Sequence, residues 1–208
     1  MKLQDIEGID ELMLKYKFAL SELTNKITIL LEEYEFNNKT DPIEHTKTRF
    51  KTLESAESKL RKKGYEVTMD NLINHVHDMV GIRIICSFLT EVYDVVNIIK
   101  SSKQFRITAE KDYIKEPKKS GYRSYHLNVL VRVHLKDKIE YVEAEIQIRT
   151  IAMDTWASLD HKLRYKLTNL PDNIEDEMYA CSDEMVLLDK RMEKLHHEVL
   201  NLEDKWYI

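Results

Sequence analysis

Glycine and proline are scarce in this 208-residue chain, at four and three. That scarcity excludes collagen-like, disordered and loop-dominated architectures. Cysteine is nearly absent: Cys86 and Cys181 stand alone, with no nearby thiol at a metal-site spacing. A disulfide scaffold or zinc knuckle is therefore excluded. No uncharged apolar run approaches the roughly 18 residues that a membrane span requires. The first eleven residues, MKLQDIEGIDE, lack both the basic and the apolar segment of a secretory leader, so a soluble, cytoplasmic protein is expected. Gly-x-Gly-x-x-Gly, Walker and Gly-x-Ser-x-Gly patterns are also missing, which removes the commonest dinucleotide, P-loop and hydrolase readings. A net charge of −5 argues against a surface that grips nucleic acid throughout, but leaves room for a local basic groove.

What is present is 43% hydrophobic and 33% charged residues, enough for one helix-rich domain with a real core. From Ile9 to Tyr34 the apolar residues Ile9, Met13, Tyr16, Leu20, Leu23, Ile27, Leu30 and Tyr34 recur at spacings of three and four, predicting a long amphipathic helix. A second helix is expected from about Arg49 to Lys63, with Phe50, Leu53 and Leu60 inward and Gly64 as its stop. A short helix near Met69–His77 leads into the β-branched run Val80–Cys86, a buried strand. Further along come a helix near Thr90–Ser101, a strand at Phe105–Thr108 and a Lys-rich loop at Lys115–Gly121.

Two alternating segments follow. Tyr125, Leu127, Val129, Val131 and Val133 oppose His126, Asn128, Arg132 and His134, and Val142, Ala144, Ile146 and Ile148 oppose Glu143, Glu145, Gln147 and Arg149. Lys136-Asp137-Lys138 reads as the turn between them, so the polar faces lie side by side. Helices near Ala152–Leu167 and Asp172–Asp204 close the chain. In the last, Met178, Cys181, Met185, Leu188, Met192, Leu195, Val199 and Leu202 form a coiled-coil seam. The expected architecture is α+β: a mixed sheet flanked by helices, with long N- and C-terminal helices.

Three constellations carry possible chemistry. Lys51, Ser55 and Lys59 stand at one-turn spacing on the expected second helix, a row that suits a polyphosphate or is simply a solvated face. Between Lys111 and Arg123, five cations surround Gly121, Tyr113 and Tyr122, composing either a phosphate-wrapping loop with a stacking ring or an exposed turn. Asp78 and Glu145 are hard oxygen donors that suit Mg²⁺ if the sheet brings them together. His75-x-His77-Asp78 lacks the further ligands of a transition-metal site. Asp154, His161 and Tyr165 share one helix face, either functional or solvated.

Taken in order, Arg49-x-Lys51-x3-Ser55-x3-Lys59, Asp78-x2-Gly81-x-Arg83, Lys111-Asp112-Tyr113-Ile114-x2-Pro117-Lys118-x2-Gly121-Tyr122-x-Ser124-x-His126 and Glu145-Ile146-Gln147-Ile148-Arg149-Thr150 resemble the RelA/SpoT-type (p)ppGpp synthetases. Asp154-x-Trp156-Ala157-x3-His161-x3-Tyr165-Lys166 extends the likeness, which covers about residues 40–170. The short chain, without hydrolase or regulatory domains, looks like a small alarmone synthetase, a subgroup that assembles as homotetramers. Residues 1–208 then form one synthetase domain, with a catalytic core at about 40–170 and flanking helices at 1–36 and 172–208 expected to serve oligomerisation.

The resemblance implies a nucleotidyltransferase-like fold and transfer of the β,γ-pyrophosphate of ATP to the 3′-hydroxyl of GDP or GTP, with release of AMP. It implies Arg49 and Arg83 around the adenine, and Lys51, Ser55, Lys59, Lys111 and Lys118 around phosphates. Asp78 and Glu145 would bind Mg²⁺, with Glu145 also orienting the attacking hydroxyl. Tyr122 would stack on guanine, and His126 and Gln147 would hold the acceptor's phosphate and ribose. Because a carboxylate accepts from both N1–H and the exocyclic amine of guanine, Asp154 is assigned to base choice. Ala109 departs from the charged signature of the long enzymes, so metal preference and acceptor choice do not carry over. Two alternatives remain open here: a related synthetase acting on adenosine nucleotides or tRNA 3′ ends, and an inactive oligomer that binds nucleotide or RNA.

Overall fold

A computed structural model describes residues 2–39, 41–164 and 171–206, with side chains to residue 202. Tyr165, Lys166 and the expected end of their helix at Leu167 lie outside the described residues.

Five strands form one mixed sheet in the order β1-β2-β5-β4-β3. They are β1 His45–Phe50, β2 Val80–Cys86, β3 Arg106–Asp112, β4 Tyr125–His134 and β5 Ile139–Thr150. Only the central β2–β5 pair is parallel; the other three pairs are antiparallel. Among the described residues the α-helices are α1 Ile9–Asn38, α2 Leu53–Lys62, α3 Met69–His75, α4 Leu89–Ser101, α5 Ile151–Arg164 and α6 Asp172–Trp206.

The strict alternation of β4 and β5 decides which face is which. Leu127, Val129, Val131, Val142, Ala144, Ile146 and Ile148 are buried, and Ile82 and Ile84 continue the layer onto β2. Helices α1 and α4 cover this face with Leu12, Tyr16, Ala19, Leu23, Ile27, Val92, Val95, Val96 and Ile99. Each fully buried aliphatic side chain contributes about 1.5–3 kcal/mol relative to exposure, which makes this the layer that fixes register. Met13, Leu20 and Leu30 flank the α1 stripe as half-buried contacts, while Leu12, Ala19 and Leu31 occupy its buried line.

The start of the expected second helix is corrected. Residues 45–50 are the edge strand β1, paired antiparallel with β2 from His45↔Ile85 to Phe50↔Val80. The helix begins only after Thr52, whose hydroxyl accepts the Ser55 amide proton at 3.2 Å as an N-cap. Lys51 therefore precedes the helix instead of sharing its face with Ser55 and Lys59. Strand β3 runs longer than Phe105–Thr108 and carries an irregularity between Ile107 and Ala109. The hairpin at Lys136–Lys138 joins β4 to β5 as expected.

Helix α6 packs on the chain through a row that hydrophobicity does not mark. Ser182, Asp189, Glu193 and His196 face inward, the last stacked on Phe88 at 4.0 Å between ring centroids. Met178 is buried, its carbonyl accepting from the Trp156 indole at 3.1 Å. Of the rest of the apolar row, Cys181 is exposed, Met185 is half-buried, and Leu188, Met192, Leu195, Val199 and Leu202 are about half exposed. No helix among the described residues is long and apolar enough to cross a membrane.

Candidate active site

The face of the sheet opposite α1 and α4 is polar and floors a cleft of about 1340 Å³. Strand alternation places its side chains: Glu143, Glu145, Gln147 and Arg149 from β5, His126 and Asn128 from β4, Arg83 from β2 and Lys111 from β3. Arg49 from β1 and Lys59 from α2 line one side, Lys118, Tyr113 and Tyr122 the other.

Asp78 enters from the loop before β2. Its carboxylate accepts from Lys51 Nζ at 2.7 Å and Lys59 Nζ at 2.8 Å. Lys51 and Lys59 thus converge on one acid from the end of a strand and the middle of a helix. Burial pushes the Asp78 carboxyl up, but the two ammonium groups outweigh it and hold its pKa at about 2. Burial lowers the Lys51 ammonium, partly offset by Asp78.

Glu145 lies in register with Gly81 across the parallel pair. The two strands approach so closely there that a Cβ on residue 81 would stand 2.5 Å from the Glu145 carbonyl oxygen. Glycine is thus required for close approach, not for an unusual φ.

Two hydrogen-bonded arms hold the Glu145 carboxylate. Arg149 Nη2 donates to the Tyr122 hydroxyl oxygen at 2.5 Å, and that hydroxyl meets His126 Nε2 at 2.8 Å. His126 Nδ1 in turn meets Glu145 Oε1 at 3.0 Å. In the other arm Arg149 donates to Gln147 Oε1 at 2.6 Å and Gln147 Nε2 donates to Glu145 Oε2 at 2.6 Å. If the Tyr122 hydroxyl donates, the proton of His126 sits on Nδ1 and every donor in the ring has an acceptor. Burial raises the Glu145 carboxyl, yet the His126 and Gln147 contacts leave it below the ordinary carboxylate range, against an opposing contribution from the Asp78 charge.

Arg83 Nη1 pairs with Asp154 Oδ1 at 2.9 Å, and Arg149 Nη1 meets the same oxygen at 3.0 Å. Arg83 Nε is buried and has no hydrogen-bond partner among the described residues. Lys118 Nζ lies 4.6 Å from the ring centroids of both Tyr113 and Tyr122. Burial lowers its ammonium pKa, against the raising effect of Glu145.

Among the predicted site residues, the cleft is lined by Arg49, Lys59, Asp78, Arg83, Lys111, Lys118, Tyr122, His126, Glu145 and Gln147. Lys51 lies buried beneath Asp78. Ser55 is exposed in the first turn of α2, one turn before Lys59, and is not itself a lining residue; Asp154 sits behind Arg83 and Arg149. Sequence reasoning gave no role to Glu143, which accepts from Thr108 Oγ1 at 2.8 Å and Asn128 Nδ2 at 3.3 Å and contacts His77 Nδ1 at 2.6 Å. The signal was available in the alternation: Glu143 lies two residues before Glu145 on the same face.

Asp78 and Glu145, both held below the ordinary carboxyl value, face one cleft, and the Asp78 charge works against the lowering at Glu145. Among the described residues no group of three or more His, Cys, Asp or Glu side chains would hold a metal alone. Two carboxylates without a full protein cage fit Mg²⁺, which usually takes one or two carboxylates and completes its shell with water and substrate phosphates.

A mixed sheet whose polar face carries Glu145, with Asp78 brought to it by the loop before β2 and cations on both sides, has the layout of a nucleotidyltransferase-like fold. Known proteins resolve the class further. The model of the region found in RelA/SpoT proteins matches residues 48–169. The chain is 48% identical over 188 residues to GTP pyrophosphokinase YwaC of Bacillus subtilis (strain 168), covering 90% of each protein. It superposes on the small alarmone synthetase 2 from Bacillus subtilis with a TM-score of 0.83 and 46% identity, over 92% of this chain and 100% of that one. On the small alarmone synthetase 1 from the same organism, solved with its product pppGpp, the TM-score is 0.84 with 32% identity, over 94% and 100% of the two chains. The chain belongs to the RelA/SpoT family.

Proposed function

We propose that this protein is a GTP pyrophosphokinase that transfers the β,γ-pyrophosphate of ATP to the 3′-hydroxyl of GDP or GTP, making (p)ppGpp and releasing AMP. One observation carries the reading: Asp78 and Glu145 face a single cleft with Arg49, Lys59 and Arg83 toward one side and Lys111, Lys118, Tyr122 and His126 toward the other. A donor on the first side and an acceptor on the second meet at the two acids.

Arg49 and Arg83 hold the adenine between guanidinium planes, a role suited to arginine and not to lysine. The unpartnered Arg83 Nε supports this placement. Lys51, Ser55 and Lys59 take the triphosphate. Tyr122 stacks on guanine while Lys111, Lys118, His126 and Gln147 hold the acceptor's phosphates and ribose. When Arg83 turns to the adenine, Asp154 loses one of its two guanidinium contacts, keeps Arg149, and can accept from guanine N1–H and the exocyclic amine.

Asp78 and Glu145 are the residues that would hold Mg²⁺, which would supply charge compensation for the phosphate oxygens. Glu145, fixed at both oxygens, receives the proton of the 3′-hydroxyl and aligns it with the β-phosphorus. Pyrophosphoryl transfer of this kind needs in-line positioning and charge compensation more than covalent help, so cations and a fixed acid suffice.

The half-exposed apolar row of α6 supports a homo-oligomer, which the family resemblance makes a tetramer. The match over residues 48–169 supports a catalytic core at about 40–170 with flanking helices.

The test is to incubate the purified chain with ATP, Mg²⁺ and either GDP or GTP and to resolve the nucleotides by anion exchange. AMP and a guanosine tetra- or pentaphosphate are expected in equal amounts. Glu145→Ala lowers the rate by about 10²–10⁴-fold, the range of a positioned general base. Nucleotide binding without turnover, or labelled tRNA in place of a free product, would overturn the proposal.

A further inference from the structure

Helix α6 reaches the cleft lining through Glu175, which pairs with Arg164 at 2.7 Å, and through the turn that carries Tyr122. Gly121 opens that turn with φ 85°, a left-handed conformation. Its amide donates to the Lys118 carbonyl at 2.8 Å, and the Lys118 amide to the Tyr122 carbonyl at 3.2 Å. The Gly121 carbonyl accepts from the Ser182 hydroxyl at 2.6 Å. Arg123 then ties the same points together: Nη1 donates to Ser182 Oγ at 2.6 Å, and Nη2 pairs with Asp183 Oδ1 at 2.9 Å.

The packing is as tight as the hydrogen bonding. Ser182 is 4% exposed, and a Cβ on residue 121 would stand 2.8 Å from Ser182 Cβ and 3.5 Å from the Trp156 ring. A buried hydroxyl that both donates and accepts, against a backbone held in a glycine-only conformation, is an expensive arrangement for a surface turn. Fixing the turn also fixes Tyr122, whose hydroxyl already joins Arg149 to His126.

We propose that Ser182, Arg123 and Asp183 form a clamp by which α6 positions the Gly121–Tyr122 turn and thereby sets the affinity for the guanine-nucleotide acceptor. The proposal rests on the reading of Tyr122 as the acceptor's stacking platform. Ser182 and Asp183 are positioning residues: they act through the turn and not on the reacting atoms.

Kinetics on the full chain, varying one nucleotide at saturation of the other, separates this role from a merely structural one. Ser182→Ala is expected to raise KM for GDP about three- to tenfold, the span of one to two lost hydrogen bonds, and to leave kcat and KM for ATP within about twofold. Asp183→Asn alters an exposed carboxylate, moves the same KM by about two- to threefold, and decides the question should the serine variant not fold. In a Trp206→Phe background, GDP should shift the fluorescence of Trp156 beside the clamp, and Ser182→Ala should abolish that shift. Equal changes in both KM values, a fall in kcat alone, or wild-type KM for GDP in the folded variants would overturn the clamp. Tyr122→Ala is measured in parallel. If it leaves KM for GDP unchanged, the acceptor reading itself falls; if it raises KM while the clamp variants do not, only the clamp falls.

Discussion

Replacing Gly81 with alanine puts a methyl group where the parallel β2–β5 pair has no room for one. The added carbon stands 2.5 Å from the Glu145 carbonyl oxygen and 3.5 Å from its carbonyl carbon, whereas ordinary contact begins at 3.4 Å. Relief therefore requires a displacement of about 0.9 Å, the difference between those two distances. Both sides of the clash are main chain, so no flexible side chain can turn aside. Overpacking of this kind costs about 1–3 kcal/mol, and at this chain length each kcal/mol lowers Tm by about 2–4 °C.

The larger consequence is kinetic. Glu145 is the residue pushed, and a misplacement near 1 Å at reacting groups costs about 10²-fold in rate. Gly81→Ala should thus lose about two orders of magnitude in kcat with both nucleotides saturating, together with a modest fall in Tm. Gly64→Ala is the matched control. Its φ is 78° with nothing within 4 Å, so alanine there strains the backbone by about 1–2 kcal/mol without touching the cleft. Calorimetry and initial rates on the two variants distinguish the cases. Wild-type kcat in Gly81→Ala, or a comparable kcat loss in Gly64→Ala, would refute the link between strand spacing and acid placement.

Burial pushes the Asp189 carboxyl up to about 6, with Glu193 adding to the shift and the Thr150 hydroxyl, 2.6 Å away, opposing it. A folded-state pKa above the unfolded value near 3.9 favours folding at low pH, and the penalty grows through pH 4–6 and is complete above it. Asp189→Asn keeps an acceptor for Thr150, so Tm should rise relative to wild type at pH 8 and match it at pH 4; a pH-independent difference in thermal melts would refute this. Leu188→Glu charges the exposed apolar row of α6 and should reduce the sedimentation coefficient to that of a smaller species, whereas an unchanged mass would exclude that row as the interface.

The strands at 125–134 and 139–150 were legible because burial on one face enforces alternation, and the strand at 80–86 because burial on both faces leaves a continuous β-branched run; the same alternation groups Glu145, Gln147, Arg149 and His126 on the polar side. β1 was not legible. Five of its six residues are exposed, His45, Thr46, Lys47, Thr48 and Arg49, so no apolar pattern marks it and its cations merge with those of α2. The pairing of Lys51 and Lys59 on Asp78 arises from tertiary convergence, not from helical spacing. For α6 the pattern misdirects in an informative way: its intrachain face joins Met178 and Met185 to the polar row from Ser182 to His196, and the apolar row from Leu188 onward lies outside. Glu143 was visible as a polar-face residue, but its contacts to His77 and Thr108 depend on a loop and on a neighbouring edge strand.

Both margins of the sheet end in charge: β1 exposes His45, Lys47 and Arg49, and β3 exposes Arg106, Glu110 and Lys111. Such borders repel the addition of a further strand, the route by which sheets grow into fibres. With that route guarded at each margin, greasy contact between copies is channelled to helix surfaces, and crowding of the protein should yield bounded particles instead of endless ribbons.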